Sequence, residues 1–151
     1  MNYKGKIEID AAALDVWEFV LDVDKFASCM PGVEDLVRVD DKTFTGKMRA
    51  KVGPISGEFV FEAQIVDAEA PVKLTAHVEG KDSLTNSTMT SDIEMNLASV
   101  GDTKTELTYS ATVDVQGRLA IIGDMVLRAT GAQVIKEFFK RLRNQITGEA
   151  A

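Results

Sequence analysis

Apolar residues recur at helical spacing through the last part of the chain. Between residues 119 and 146 they lie three or four positions apart, and no proline interrupts them. The positions are Leu119, Ile122, Val126, Thr130, Val134, Phe138, Leu142 and Ile146. The pattern predicts one amphipathic helix of roughly 42 Å, at a rise of about 1.5 Å per residue. A helix of this length needs a large apolar partner surface.

The chain before this helix is dominated by period-two alternation. Residues 3–9 alternate between apolar and charged side chains and predict a first strand with one face in water. Two short helices are expected next, at residues 12–21 and 24–30, and Pro31–Gly32 ends the second. Renewed alternation then predicts strands at 34–39, 43–52, 57–67, 72–80, 83–99 and 103–117. The turns between them are short, so we expect an antiparallel meander.

Together these elements indicate an α+β fold. A curved, seven-stranded antiparallel sheet wrapped around the long C-terminal helix buries the apolar face of both, with two short helices after the first strand. The length fits a single domain, which we expect over residues 1–148, followed by a short tail at 149–151. This order of elements resembles the helix-grip fold of the START and Bet v 1-like superfamily.

One side of the predicted sheet is uncharged, and the other carries charges such as Lys47, Glu58 and His77. The polarity of each strand therefore fixes its orientation, and the uncharged side should face the helix. Many residues on that side are small: Gly46, Ala50, Ala63, Ala76, Gly80, Ser87, Ser91, Ala111 and Gly117. The helix adds Gly123, Ala129, Gly131 and Ala132. Either these residues leave an apolar cavity, or helix and sheet approach closely and aromatic residues fill the gaps.

A cavity at this position would be lined by large and small apolar side chains from sheet and helices. The candidate lining residues are Trp17, Met30, Met48, Phe59, Phe61, Met89, Ile93, Tyr109, Ala111, Met125, Val126 and Ala129. Methionines suit a wall that adapts to a flexible apolar guest. Tyr109 offers a hydroxyl that either orients a carbonyl of the guest or bonds to backbone. The entrance is expected near residues 30–32 or beside the helix start at Leu119.

Charge and cysteine content limit the partners and the compartment. The chain has 17 basic and 24 acidic residues, a net charge of -7, which argues against nucleic acid as a partner. Cys29 is the only cysteine, so no intramolecular disulfide can form, and the N-terminus lacks the apolar core of a signal peptide. No apolar run approaches the roughly 20 residues that span a bilayer. We expect a cytoplasmic protein.

The predicted interior offers little for catalysis. General acid-base and nucleophilic catalysis need a titratable or nucleophilic group with a second group that tunes it. The only interior candidates are Tyr109, Ser87, Ser91 and Thr105, and strand parity directs His77 outward. No cluster of histidine and cysteine is spaced for a metal. We therefore predict no catalytic residues, no metal and no cofactor.

Several segments resemble those of the carbon monoxide dehydrogenase G-subunit family over nearly the whole chain. They are Val16-Trp17, Leu21-Asp22, Met30-Pro31-Gly32-Val33, Lys51-Val52-Gly53-Pro54, the run from Val115 to Gly123, and Glu137-Phe138-Phe139. The resemblance implies a small cytoplasmic accessory protein of molybdenum-containing hydroxylases. It also implies a quinone or other lipid-like molecule in the helix-grip cavity, and a link to membrane association of the carbon monoxide dehydrogenase.

The predicted helix ends in a basic group within an acidic protein: Lys136, Lys140, Arg141 and Arg143. These residues either stabilise the helix C-terminus through its macrodipole or form a transient surface for anionic lipid or an acidic partner. Longer members of the family carry a C-terminal tail that contacts the membrane, and the sequence ends at Ala151 without one. We therefore expect at most peripheral contact with the inner face of the membrane.

Three functions fit these observations. The leading hypothesis is a noncatalytic carrier of an apolar molecule that serves a molybdenum-containing hydroxylase. An enzyme of the polyketide cyclase or aromatase kind, dependent on Tyr109 and the interior serines, would share the fold. A ligand-free assembly or membrane-recruitment factor is the third possibility.

Overall fold

The computed structural model describes residues 1–148 as one antiparallel sheet with helices packed on one of its sides. The elements in chain order are β1 (Asn2–Ile9), α1 (Ala13–Leu21), α2 (Val23–Cys29), β2 (Val33–Arg38), β3 (Thr43–Val52), β4 (Ile55–Glu69), β5 (Lys73–Asp82), β6 (Ser87–Gly101), β7 (Lys104–Gln116), a 3₁₀ segment (Arg118–Ile122) and α3 (Asp124–Ile146). The seven strands lie in the order β1-β7-β6-β5-β4-β3-β2. The predicted sheet and element order are confirmed. The predicted tail at 149–151 lies outside the described residues.

The chain after β7 does not form one continuous helix, so the prediction over residues 119–146 is wrong in one respect. Gly123 adopts φ 103° and ψ 152°, a conformation that no helix contains, and it separates the 3₁₀ segment from α3. With 23 residues, α3 is about 35 Å long. Periodicity missed the break because apolar contacts continue on both sides of it: Leu119 is buried before Gly123 and Leu127 after it.

The turn between β5 and β6 lies at residues 83–86, later than predicted, and β6 begins at Ser87. The side chain of Asp82 determines this position, since it accepts hydrogen bonds from the Leu84 N–H and the Thr85 hydroxyl, each at 2.9 Å. Asp82 lies on the helix side of the sheet and is only 1% exposed. The expectation that this side carries no charge is therefore wrong.

The apolar core consists of two separate clusters on the helix side. The first joins β1, α1, α2 and the far end of α3 to the sheet, through Ile9, Val16, Trp17, Phe19, Cys29, Leu74, Met95, Leu97, Leu107 and Leu142. The second lies at the β3–β4 turn and the start of α3, and contains Val52, Phe59, Leu119 and Leu127. The sheet and α3 connect the two clusters.

Three of the four small residues that were expected to leave space on the helix do not do so. The Tyr3 hydroxyl donates a hydrogen bond to the main-chain oxygen of Arg128 at 3.1 Å, and its ring lies against Gly131. Ala132 faces solvent, and Gly123 lies in the break before α3. The sequence-based argument from small residues on the helix is therefore wrong for these three positions. The fourth small residue, Ala129, lines an open cleft beside α3.

The opposite side of the sheet carries charges, as the alternation predicts. Arg49 pairs with Glu58 at 2.9 Å. His77 also lies on this side, with Nδ1 2.6 Å from Asp92 Oδ1 and Nε2 3.2 Å from Glu79 Oε1. These hydrogen bonds, first that of Asp92 and then that of Glu79, raise the pKa of His77. The outward orientation predicted for His77 is correct.

Candidate functional site

Between the two clusters lies a group of apolar side chains that pack against neither of them. They occupy the middle of β4, β5, β6 and β7 on the helix side: Phe61, Ala63, Ala76, Val78, Ile93, Ala111 and Val113. Strand register places them side by side, since Val78 is opposite Ala63, and Ala111 is opposite Ile93. We refer to the space above these residues as the gap.

Side chains in the gap are more exposed to solvent than those in the two clusters, which is the opposite of the distribution in a close-packed helix–sheet interface. In a close-packed helix–sheet interface the centre is the most buried part. Here Leu107 and Leu119 in the two clusters are buried, whereas Ile93 between them is 36% exposed and the other gap residues are half-buried. Solvent therefore reaches the centre of the helix side, which favours a cavity over close approach of helix and sheet.

A cleft of about 570 Å³ opens between α3 and the edge of β3. Its lining residues are Pro31, Gly32, Arg49, Ala50, Lys51, Met125, Val126, Ala129, Thr130, Gln133 and Val134. The volume is within the range of about 300–1,000 Å³ that is usual for small-molecule sites. Of the two entrances considered from the sequence, the cleft lies at the one near residues 30–32, whereas Leu119 is buried.

A second depression, of about 610 Å³, lies at the other end of the sheet beside the β2–β3 turn. Asp40, Asp41 and Lys42 contribute to its lining. Charged side chains in this number do not suit an apolar guest. The cleft beside α3 is therefore the better candidate for an entrance to an apolar site.

Gly32 fixes the rim of the cleft against β3. Its φ of +82° is one that residues with a side chain rarely adopt, and a Cβ there would overlap the Arg49 carbonyl oxygen. The Arg49 N–H donates to the Gly32 oxygen at 2.9 Å. Because strand groups alternate in direction, the N–H and C=O of Lys51 also point away from β4 and therefore towards the cleft. The rim thus combines apolar side chains with main-chain polar groups.

Six of the candidate lining residues lie in the gap or the cleft. Phe61, Ile93 and Ala111 belong to the gap, and Met125, Val126 and Ala129 line the cleft. Met30 and Met48 are half-buried and immediately precede the cleft residues Pro31 and Arg49. Sequence reasoning did not include Gly32, Lys51, Thr130 and Gln133, which no apolar pattern marks. A glycine after proline was the one available signal for this rim.

The other four candidates are part of the packed clusters. Trp17 is buried in the first cluster, and Phe59 in the second, with Met89 against it. Tyr109 packs against the first cluster, 4.9 Å from Phe139 between ring centroids. Its hydroxyl lies over Gly5 of the edge strand β1, away from β6 and the gap. The structure therefore directs the Tyr109 hydroxyl towards β1 and not into the gap.

The end of the gap next to the first cluster is bounded by aromatic rings. Phe139 of α3 contacts Phe138 at 5.2 Å between centroids, and Phe138 contacts Phe26 of α2 at 5.3 Å. With Tyr109 on the sheet, this series joins α2, α3 and β7. Contacts between aromatic rings add about 0.5–1.5 kcal/mol each beyond the area that they bury. These aromatic rings thus bound the gap at this end.

Asp82, the buried carboxylate on the helix side, is engaged by donors from its own turn and from β4. Besides Leu84 and Thr85, the Glu58 N–H donates to it at 3.2 Å, and the neighbouring Ser87 hydroxyl accepts from the Leu119 N–H at 3.0 Å. Burial raises the pKa of the Asp82 carboxyl, but the hydrogen bonds from Thr85, Leu84 and Glu58 outweigh it and hold the pKa below its usual value. Asp82 therefore holds a turn in place.

Two further properties concern the described residues 1–148 as a whole. None of their histidine, cysteine, aspartate and glutamate side chains form a group of three or more that could hold a metal ion. None of their helices combines the length and the apolar character needed to cross a membrane.

Comparison with known sequences gives one family. The family model of CoxG, the G-subunit of carbon monoxide dehydrogenase, matches residues 5–147, which is nearly the whole chain. No sequence among the curated proteins matches the chain significantly.

Comparison with solved structures gives proteins of the same fold. A conserved protein from Geobacillus kaustophilus has a TM-score of 0.89 at 22% identity, over 98% of this chain and 96% of its own. A START superfamily protein from Mycobacterium smegmatis has a TM-score of 0.73 at 12% identity, over 97% of both chains. The Zhui aromatase/cyclase from Streptomyces sp. R1128 also has a TM-score of 0.73, at 11% identity, over 97% of this chain and 93% of its own. The START-like helix-grip fold expected from the sequence is confirmed.

Proposed function

Because the chain belongs to the carbon monoxide dehydrogenase G-subunit (CoxG) family, we propose that it binds an apolar small molecule, of the quinone or lipid type, between α3 and the sheet. In this proposal it acts as a noncatalytic accessory protein of a molybdenum-containing hydroxylase of the carbon monoxide dehydrogenase type. The observation that carries the binding function is the uncharged, half-exposed gap between two buried clusters.

The energetics of the gap favour a guest over water. Seven apolar side chains line it, and covering apolar surface is worth about 25 cal/mol per Å². A guest that removes about 300 Å² from water would gain about 7 kcal/mol, against association costs of several kcal/mol. The net gain that remains corresponds to weak, reversible binding, which suits a carrier that must also release its guest.

The positions of the polar groups around the gap favour binding and transport of a guest over catalysis. Acid-base catalysis needs a titratable group within hydrogen-bond reach of the reacting atoms. Asp82 is occupied by three donors, Tyr109 points towards β1, and His77 lies on the opposite side of the sheet. We therefore place no catalytic residue in the gap.

Filling the gap tests the proposal directly. Ala111 lies in the middle of β7 opposite Ile93, so Ala111→Phe would place a ring in the gap. We expect this variant to remain folded and to lose about tenfold in affinity for a fluorescent lipid. Thr112→Phe is the matched control, because the next residue of the strand points to the opposite side. Mass spectrometry of organic extracts from protein purified from its native host would identify the natural guest.

The results of this experiment also separate the alternatives. Unchanged uptake in a folded Ala111→Phe variant would contradict a cavity and favour a ligand-free assembly factor, especially if a molybdenum-containing hydroxylase still copurified. Turnover of a polyketide substrate that vanished in Tyr109→Phe would favour an enzyme of the cyclase kind. The fold shared with an aromatase/cyclase does not favour that function by itself.

We further propose peripheral contact with the inner face of the cytoplasmic membrane. The basic residues Lys136, Lys140 and Arg143 at the end of α3 are exposed, but Arg141 is paired with Glu137 at 2.9 Å. A second surface is formed by Leu84 of the β5–β6 turn, Ile121 of the 3₁₀ segment and Met125 at the start of α3, whose side chains are 82–85% exposed. We refer to these three residues as the apolar tip.

Neighbouring charges make the apolar tip the better membrane surface. The β3–β4 turn approaches the 3₁₀ segment and α3 at Gly53, which lies against Ile122 and Val126, and the end of the β5–β6 turn at Asn86 lies against Gly117, just before the 3₁₀ segment. The exposed basic residues of these segments are Lys51, Lys81, Arg118 and Arg128, against the exposed acidic residue Asp124. Within residues 1–148 none of these four cations forms an ion pair. Apolar side chains beside unpaired cations suit an anionic bilayer.

A further inference from the structure

One polar side chain, Ser91, lies among the apolar residues of the gap. It is in the middle of β6, opposite Val78 of β5 and Val113 of β7. Along its own strand, Met89 and Ile93 are the neighbours on the same side of the sheet. Only 7% of Ser91 is exposed. Its four neighbours on this side of the sheet, two on the adjacent strands and two on its own strand, are therefore all apolar.

The Ser91 hydroxyl differs from the other buried polar groups on this side of the sheet. Thr105 donates to the Ala11 oxygen at 2.7 Å, and Ser87 and Asp82 have the partners described above. Ser91 forms no side-chain hydrogen bond among residues 1–148. Its oxygen must nevertheless be accessible to solvent, because every fully buried polar side-chain atom of these residues has a hydrogen-bond partner. The open space that it reaches is the gap. The Ser91 hydroxyl can therefore donate its hydrogen bond to whatever occupies the gap, whether water or a guest.

We propose that Ser91 is the residue that orients the guest, by donating a hydrogen bond to an oxygen acceptor such as a carbonyl. The proposal rests on the function proposed above and specifies its ligand class: an apolar molecule with an uncharged acceptor flanked by apolar groups. A molecule that ends in a carboxylate does not fit this position, because the gap residues include no cation to balance a buried charge. A pure hydrocarbon would fit the gap but leave the hydroxyl without a partner.

A pair of probes that differ in one carbonyl tests this assignment. Fluorene and 9-fluorenone share a flat tricyclic frame, and only fluorenone carries an acceptor oxygen. We expect the wild-type chain to bind both, and fluorenone more tightly, by isothermal titration calorimetry. Ser91→Ala should weaken fluorenone binding about fivefold to tenfold and leave fluorene unchanged, since a lost hydrogen bond affects only the ketone. Ser91→Thr keeps the hydroxyl and should retain the preference for fluorenone.

The matched control is Ser110→Ala, an exposed serine of the neighbouring strand β7, which should alter neither affinity. Equal fluorenone affinity in the wild type and in Ser91→Ala would overturn the role of Ser91 while fluorene binding still supported the gap. Equal losses for both probes would also overturn it, because they would indicate a packing effect. Failure of the wild type to bind either probe would overturn the proposed function together with this assignment.

Discussion

Replacing Asp82 by alanine should strongly destabilise the fold. Its carboxylate accepts hydrogen bonds from the Glu58 N–H of β4, the Leu84 N–H of the turn and the Thr85 hydroxyl. Thr85 also lies 2.9 Å from the Ser87 hydroxyl, which accepts from the Leu119 N–H of the 3₁₀ segment. Asp82 therefore connects two strands, a turn and the approach to α3 through one network.

The expected size follows from these contacts. A hydrogen bond to a charged group is worth about 1.5–3 kcal/mol, and its loss leaves a buried donor without a partner. The two donors in the turn can regain water, whereas the Glu58 N–H lies between strands, so the total loss should be about 3 kcal/mol. Unfolding of 151 residues carries an entropy of about 0.3 kcal/mol/K, so Tm should fall by about 10 °C.

Thermal unfolding followed by circular dichroism would measure this change. Asp102→Ala is the matched control, because Asp102 is an exposed aspartate in another hairpin turn, and we expect a change within about 0.5 kcal/mol. The reasoning would be refuted by a Tm for Asp82→Ala within about 2 °C of the wild type, since the network would then contribute little.

The same carboxylate predicts a pH dependence. The folded pKa of Asp82 lies below its unfolded value of about 3.9, so its contribution to stability is complete above that value. The contribution is lost as the pH falls through the folded pKa. Asp82→Asn cannot titrate, and its unfolding free energy should therefore decline less than that of the wild type as the pH falls below about 4. Parallel curves for the two proteins would contradict the depressed pKa.

Two further predictions concern the cleft and its surroundings. Gly32→Ala should destabilise the fold by about 2 kcal/mol or more in denaturant unfolding, through its positive φ and the overlap with the Arg49 carbonyl, whereas Gly80→Ala, at ordinary φ, should cost less. Serine at all three positions of the apolar tip should lower binding to vesicles of phosphatidylcholine and phosphatidylglycerol about tenfold in a flotation assay. Three exposed valines at the other end of the sheet are the control for serine substitution: Val39, Val66 and Val72. Equal losses in both triple variants would argue against docking through the tip.

The strands could be predicted from sequence because alternation between apolar and polar residues is a local property. Each strand has one face in water, so Lys47 or His77 reports the orientation of its neighbours. The helix break at Gly123 and the turn at residues 83–86 were missed for a different reason. Each depends on a single residue: the break on the backbone angles of Gly123, and the turn on the hydrogen bonds of Asp82. The apolar pattern continues past both residues and so gives no sign of either feature.

The candidate site was less predictable than the fold. Alternation identifies which residues face the helix, but not which of these the helix covers. Trp17 and Ile93 both carry apolar side chains directed inward, yet one lies in a cluster and the other in the gap. The difference depends on where α3 crosses the sheet. Contacts between distant parts of the chain determine that position, such as the hydrogen bond between Tyr3 and Arg128, which are 125 residues apart.

The separation of the core into two clusters explains how this domain can tolerate an open centre. Close packing stabilises the ends, where Leu107 and Leu119 are almost fully buried, and the continuous sheet transmits that order to the residues between. The centre therefore contributes less to stability than the ends do, and its side chains are available for a guest. Substitutions in the gap should alter binding with little effect on stability, whereas those at Asp82 should destabilise the protein without entering the site. This division is the physical reason why stability and ligand binding can be tested separately in this chain.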